Sequence, residues 1–367
     1  MAGPQGAPPG ACYNSAPQMS EKEILPTADR LLAVVDAMAG QPVLMLVDLV
    51  ADVFITGAPK RISREAPVLI LSFEGERLTP GGGANAVANV AALGGRPLPL
   101  GVTGDDAHGE RLRETLAALG VPTAGLLVRP GFRTPTKVRI LGGGRHQVKQ
   151  QIVRYDVEDT LELAEEERRR FAAALAGWRG EASVAIVSDY GYGAVEPALL
   201  APLRAALAPA GVVVGDSRYR LAAFAGLDGA TPNEEETEAL LGTRIGDHLD
   251  LLERGGRGLL DRLATRFLLV TRGSRGMSLF QADSTVHLRV SGTDQVADVT
   301  GAGDTVIGAF ALALAAGASP LEAALLSNHA AGVVVMKAGT ATLTADELRQ
   351  AVRADRRPLE ELRWAPS

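Results

Sequence analysis

Cysteine is nearly absent from this 367-residue chain: Cys12 stands alone. That excludes an internal disulfide framework and any metal site built from several thiolates. It also fits a reducing, cytoplasmic setting. Aromatic residues are scarce, at 4% against 46% hydrophobic residues overall, so the core has to be built mainly from Ala, Val and Leu. There is no basic excess. A net charge of −6 gives no global field that attracts nucleic acid, while leaving room for a local cationic pocket for a phosphorylated small molecule. Long apolar runs are missing as well. Val43 to Val47 and Ala309 to Ala316 are too short to span a bilayer, so no membrane partner is expected. Residues 1–19, rich in Pro, Gly and Ala, read as a disordered arm. They lack the basic start and apolar middle of a secretory signal.

What is present alternates. Ser20-Glu21-Lys22-Glu23 has capping-box spacing, and a helix is expected through Asp29 to Met38, ended by Gly40 and Pro42. Val43 to Val47 reads as a buried first strand, because a parallel strand covered on both faces is apolar throughout. Leu98 to Val102, Val184 to Val187, Gly211 to Val214 and Phe267 to Val270 repeat that pattern. Helical blocks lie between them: Ala84 to Leu93, Gly109 to Leu119, Ala164 to Ala176, Pro197 to Leu207 and Glu234 to Leu241. The alternation predicts an α/β fold with a mostly parallel central sheet and helices on both faces. Ligands in such sheets gather at the carboxyl ends of the strands. Residues 54–73 and 134–156 break the rhythm with short-period alternation around Gly142-Gly143-Gly144, and predict a small β-flap.

Several constellations carry chemistry. Asp298-Val299-Thr300-Gly301-Ala302-Gly303-Asp304 sets small residues and a carboxylate where a loop becomes an apolar helix. Backbone N–H groups there can approach an anion, which the helix dipole favours, and Asp304 beside it can take a proton from a hydroxyl. An ordinary glycine turn has the same look. Pro80-Gly81-Gly82-Gly83-Ala84-Asn85 opens a helix. It suits close backbone approach to a ligand, with Asn85 for sugar hydroxyls, or a plain turn with Asn85 as a cap. Asp48 and Asp52 follow the first strand, where hydroxyls bind, although Asp52 also suits a solvated loop. In Asn233-Glu234-Glu235-Glu236, Asn233 and Glu236 can face one ligand, and a carboxylate there can hold Mg²⁺ through water. Acids at a helix start satisfy the dipole equally well. Thr271-Arg272-Gly273-Ser274-Arg275-Gly276 fits a phosphate turn or a hairpin. His329, beside Asn328 on a late helix, reads as a packed histidine, and no zinc ligand set is apparent.

The order of these motifs resembles the ribokinase-like (PfkB) carbohydrate kinase family from about Val43 to Leu348. Pro80 to Asn85, Val187-Ser188-Asp189-Tyr190, Thr271-Arg272-Gly273, Asp298 to Gly308 and Ala331 to Val335 carry the likeness. Arg61-Ile62-Ser63-Arg64-Glu65-Ala66-Pro67-Val68 points to the branch acting on D-glycero-D-manno-heptose 7-phosphate. The resemblance implies a ribokinase-like three-layer domain over 20–350 with a β-lid, followed by a tail over 351–367. It also implies an ATP- and Mg²⁺-dependent kinase that phosphorylates the 1-hydroxyl of that phosphosugar, and a homodimer is expected.

By the same resemblance, Asp304 would be the base, and Gly301, Ala302 and Gly303 the anion hole. Asp48, Asp52, Gly81, Gly82 and Asn85 would meet the sugar. Asn233, Thr271, Gly273, Gly276 and Asn328 would line the nucleotide site, with Glu236 toward Mg²⁺. Asp298 and Thr300 lie where some members bind a monovalent cation such as K⁺. Arg61, Lys137, Arg139 and Arg154, in or near the flap, could grip the sugar phosphate. Three positions depart from the family pattern: Val47 replaces a Gly, Tyr192 a Lys, and Asp216-Ser217-Arg218 an Asp-Pro-Lys. The short tail has no H-x-G-H signature, so phosphorylation alone is expected of this chain. The rival readings are a kinase for another sugar, phosphosugar or nucleoside, and a catalytically silent sugar-sensing or assembly protein.

Overall fold

Val43, Met45 and Val47 pack on one side of the central sheet, and Leu44 and Leu46 on the other. Val184 and Ile186 divide from Ala185 and Val187 in the same way, as do Phe267 and Leu269 from Leu268 and Val270. Alternation sends each strand's side chains to two cores, which is why these strands show no polar face in the sequence. The computed structural model describes residues 25–144, 149–292 and 297–355, and the backbone of 363–366.

In chain order the strands are β1 (Pro42–Val47), β2 (Leu49–Ile62), β3 (Leu69–Gly82), β4 (Arg96–Gly104), β5 (Leu126–Arg129), β6 (Thr136–Gly142) and β7 (Gln150–Val157). They continue with β8 (Val184–Asp189), β9 (Val212–Ser217), β10 (Gly229–Ala230), β11 (Phe267–Thr271), β12 (Met277–Gln281), β13 (Ser284–Leu288) and β14 (Arg363–Pro366). The main sheet has the order β14-β13-β12-β11-β10-β9-β8-β1-β4-β5. It is parallel from β5 to β11 and antiparallel from β11 to β14. The fold is thus the expected α/β arrangement. Among the described residues no helix is long and apolar enough to cross a membrane.

The lid is a separate sheet of order β3-β2-β6-β7. It is larger than the flap expected over 54–73 and 134–156. β2 leaves the main sheet directly after Asp48, and β3 runs straight into the Gly83–Ala92 helix. Asp52, Gly81 and Gly82 are therefore lid-strand residues and not loop residues. Register places Asp52 opposite Thr79 and Lys137, and Phe54 opposite Arg77 and Arg139. Lys137 in turn faces Asp156, and Arg139 faces Arg154. Opposed residues share a face, so one face of the lid carries most of its cations.

The helices appear where periodicity placed them, with small shifts at the ends. Thr27 caps the first described helix, Ala28–Ala37; the expected cap at Ser20 and the arm over 1–19 lie outside the described residues. The Pro197 block opens as a 3₁₀ turn before the Leu200–Ala206 helix. The expected tail needs correction. Residues up to Ala354 finish a helix, and β14 pairs with β13 at the sheet edge. The Ala302–Ala315 helix is buried from Asp304 to Ala313, and Phe310 packs on Phe267 with ring centroids 5.4 Å apart. An all-apolar helix belongs in an interior.

Candidate active site

The carboxyl ends of the parallel strands open on a chamber of about 650 Å³. Tyr190 follows β8, Arg218 follows β9, Thr231 follows β10 and Thr271 ends β11, and all four line it. The first turn of the Ala302–Ala315 helix closes the floor with Gly301, Gly303 and Asp304. Gly301 is the helix N-cap, with φ +79°, and a Cβ there would meet Asn85 Nδ2 at 2.5 Å. Only glycine meets both demands. Gly303 has open space around its α-carbon, and first-turn N–H groups have no intrahelical partner.

Asp304 is 3% exposed. Tyr190 Oη donates to its Oδ1 at 2.7 Å, and Asn85 Nδ2 to its Oδ2 at 3.2 Å. Burial pushes the carboxyl up to about 7, although both hydrogen bonds favour the charged form. That value suits a group exchanging protons near neutrality. Asp216 and Glu236 share the chamber wall. Burial, then the Glu236 charge, raises Asp216, and burial raises Glu236.

Two smaller cavities adjoin. One of about 150 Å³ is walled by Met277, Val290, Val306, Ala331, Gly332 and Val335, and shares Thr271, Val299 and Gly303 with the chamber. Its apolar walls suit a flat heteroaromatic group. The other, of about 270 Å³, holds Lys137, Arg154 and Arg218 with Asp156 and Glu158, and shares Tyr190, Arg218 and Tyr219 with the chamber. Burial lowers the Lys137 ammonium, with Asp52 opposing.

The expected site residues divide by what they touch. Asn233 and Glu236 line the chamber while forming a reciprocal capping box, Asn233 Oδ1 accepting from the Glu236 N–H and Glu236 Oε2 from the Asn233 N–H. Thr271, Gly273, Gly276 and Asn328 line the apolar cavity. The Asn328 amide, however, is spent on the Arg289 carbonyl and the Ser291 N–H. The Ala302 N–H donates to the Val299 carbonyl, which leaves the N–H groups of Gly301 and Gly303 for the expected anion hole.

Asp48 does not face the cavities. Its Oδ2 accepts from the N–H groups of Tyr190 and Tyr192, and its Oδ1 from that of Ala194. It anchors the loop after β8. Asp52 is held by Arg139 at 2.6 Å and by Thr340 at 2.5 Å. Arg139 is therefore committed to a carboxylate and to the Phe54 ring. A Cβ on Gly81 would lie 2.6 Å from Asp52, so Gly81 makes room for a side chain and not for a ligand. The Asn85 amide is tied to Asp304 and the Gly301 carbonyl, and its Oδ1 accepts from Asn89. Arg61 sits exposed toward the outer end of β2, outside all three cavities. Asp298 staples the N–H groups of Thr300 and Gly339. These bonds fix the carboxylate in place and use part of the acceptor capacity that the expected monovalent-cation site at Asp298 and Thr300 would draw on. His329 is packed as expected, on Ser291 Oγ, and burial lowers it to about 4.

Tyr190, Arg218, Tyr219 and Asp216 were not singled out as site residues from sequence. The available signal was their place directly after, or at the end of, two apolar parallel strands.

Comparison with known proteins gives the family and the fold. The pfkB family carbohydrate kinase profile matches residues 44–347. The bifunctional protein HldE of Mesorhizobium japonicum is 40% identical over 336 residues, covering 89% of this chain and 65% of the relative. HldE of Nitrosococcus oceani is 42% identical over 86% of this chain and 65% of its own. The chain thus spans about two thirds of the curated relatives it matches. A phosphofructokinase-2 from Escherichia coli, solved with substrates and products, superposes with a TM-score of 0.68 at 19% identity, covering 85% of this chain and 98% of that one. A ribokinase from Arabidopsis thaliana, complexed with ribose and ATP, gives 0.67 at 20%, covering 86% and 99%. These two likenesses show the ribokinase-like fold. By the extent of the family match and the identity to its relatives, the chain belongs to the PfkB family of ATP-dependent carbohydrate kinases.

Proposed function

We propose that this kinase transfers the γ-phosphoryl group of ATP to the 1-hydroxyl of D-glycero-D-manno-heptose 7-phosphate. The observation that carries the phosphosugar reading is the cavity of Lys137, Arg154 and Arg218 bordering the Asp304 chamber. Lys137 and Arg218 would neutralise a remote phosphate, and Arg154 would join them by exchanging Asp156, to which it is doubly hydrogen-bonded, while the other end of the sugar reaches the carboxylate. Likeness to the HldE proteins supports heptose as the sugar. Asp304 accepts the hydroxyl proton as the oxygen attacks the γ-phosphorus in line and the bond to the ADP oxygen breaks. The first-turn N–H groups and the helix dipole stabilise charge on the moving phosphoryl group. The lid covers the sugar and keeps water out.

Among the described residues no group of three or more His, Cys, Asp or Glu is placed to hold a metal. Mg²⁺ keeps waters and uses one or two carboxylates plus substrate phosphates. Asp216 and Glu236, raised by burial, are the carboxylates that would hold it, and it would supply charge neutralisation between the phosphates.

A substrate panel tests the proposal. Heptose 7-phosphate is the expected acceptor, and turnover of ribose, fructose or a nucleoside without it would sink the reading. Losing one charge-assisted contact costs about 1.5–3 kcal/mol, so Lys137→Ala or Arg154→Ala should raise KM for the phosphosugar by roughly 10- to 150-fold and leave KM for ATP in place. Equal changes in both constants would exclude the cavity as the phosphate site.

We further propose a homodimer through the lid. Phe73 is 69% exposed and Ile62 59%, with Val153 and Tyr155, alternate residues on one face of β7, also open. An apolar patch of this kind is costly in water. Light scattering is expected to give twice the chain mass, and Phe73→Glu to give a monomer. A monomeric parent protein would refute it.

A further inference from the structure

Tyr190 stands where an acceptor must pass. Its hydroxyl is 2.7 Å from Asp304 Oδ1. Lys137 Nζ lies 5.1 Å from its ring centroid. Its Cδ2 and Cε2 are 3.3 Å from where a Cβ on Gly82 would project. Asp304, Lys137 and Gly82 are residues expected to meet the acceptor sugar, and all three meet the phenol ring. The same ring walls both the cationic cavity and the Asp304 chamber.

We infer that Tyr190 gates the reaction: its phenol caps Asp304 and fills the acceptor position until the sugar displaces it. The inference rests on Asp304 being the base. Of the two side chains hydrogen-bonded to Asp304, only Tyr190 can leave. Asn85 is buried in a helix and locked by the Gly301 carbonyl and by Asn89. Asp48 pins the Tyr190 backbone N–H, so the motion is a rotation of the ring and not a loop rearrangement. Burial, then the Asp304 charge, holds the phenol proton far above its ordinary range. The ring therefore presents a hydrogen-bond donor at neutral pH, as a sugar hydroxyl does.

The gate has a chemical purpose. An uncapped Asp304 would take a proton from water as readily as from a sugar. The water oxygen would then bond to the γ-phosphorus, the bond to the ADP oxygen would break, and ADP and inorganic phosphate would leave. The proton would pass from Asp304 to solvent. Capping the base in the absence of sugar suppresses that loss.

The test measures ATP hydrolysis without sugar, and the pH dependence of sugar phosphorylation, in the full-length protein and in Tyr190→Phe and Tyr190→Leu. Removing one hydrogen bond to a charged group should raise sugar-free hydrolysis about tenfold. It should also move the acidic limb of kcat/KM to higher pH, because the lost bond favoured the carboxylate. The charged and titratable groups that still face Asp304 are Asp52 and Lys137 on the lid and Asp216 near the end of β9; Tyr190→Phe keeps the ring beside Lys137, and Tyr190→Leu removes it. A merely structural tyrosine would lower both activities and leave the limb where it was. Unchanged or reduced sugar-free hydrolysis in both variants, with an unmoved limb, overturns the gate. Turnover that survives Asp304→Asn overturns the base and the gate together, whereas a dead Asp304→Asn with unaltered Tyr190 variants overturns the gate alone.

Discussion

Asp304→Asn should lower kcat by roughly 10²- to 10⁴-fold, the range for losing a positioned general base, while ATP binding stays nearly intact. The amide is isosteric, so Gly301 keeps its αL cap and Asn85 its neighbour, but the amide cannot accept the proton. Near wild-type turnover in this variant would remove Asp304 from the chemistry. The pH profile provides a second reading of the same group. With the Asp304 carboxyl at about 7, the base is protonated below neutrality. kcat/KM should then rise about tenfold per pH unit up to that point and level off above it. A profile already flat from weakly acidic pH would mean that another group carries the proton.

Asp48→Ala should be the most damaging single change to stability. Its carboxylate satisfies the N–H groups of Tyr190, Tyr192 and Ala194, and it is 1% exposed. Each buried N–H left without a partner costs about 1–3 kcal/mol, so the variant should lose about 3–9 kcal/mol, a large part of the 5–15 typical of a domain. Asn in this place is a partial remedy, since it offers one acceptor oxygen and points an N–H donor at other donors. Denaturant melts at neutral pH decide the matter, and a loss under about 1 kcal/mol would contradict the anchor role.

The sign of the pH dependence follows from the raised value. Burial lifts Asp48 from 3.8 to about 6, so the folded chain binds this proton more tightly than the unfolded chain does. Its contribution to stability is therefore greatest below the unfolded value and declines as pH rises through about 6.

How far the sequence reaches can be judged from particular residues. Apolar runs such as Val43 to Val47 could be read as buried strands because period-two packing leaves a parallel strand no polar face. The Gly301 to Asp304 turn could be read because a helix start, a left-handed cap and a carboxylate are all local features. Asn233 and Glu236 were paired from their spacing alone, since a capping box is set within one turn. The partners of Asp48 and Asp52 could not be read in this way. Both are acids beside the first strand, and only the chain brought alongside from residues 190–194, or from Arg139 and Thr340, decides which partner each takes. The same holds for Tyr190, whose role depends on contacts with Gly82, Lys137 and Asp304, each far away in sequence.

The sequence by itself determined the alternating architecture, the helix starts and the Gly301 to Asp304 turn with its carboxylate, because each depends on residues within a few positions of one another. The tertiary structure decided which carboxylates are spent on backbone N–H groups, which cations share one cavity, and which ring covers Asp304. Those outcomes depend on burial and on partners tens to hundreds of residues away, and no local pattern encodes them.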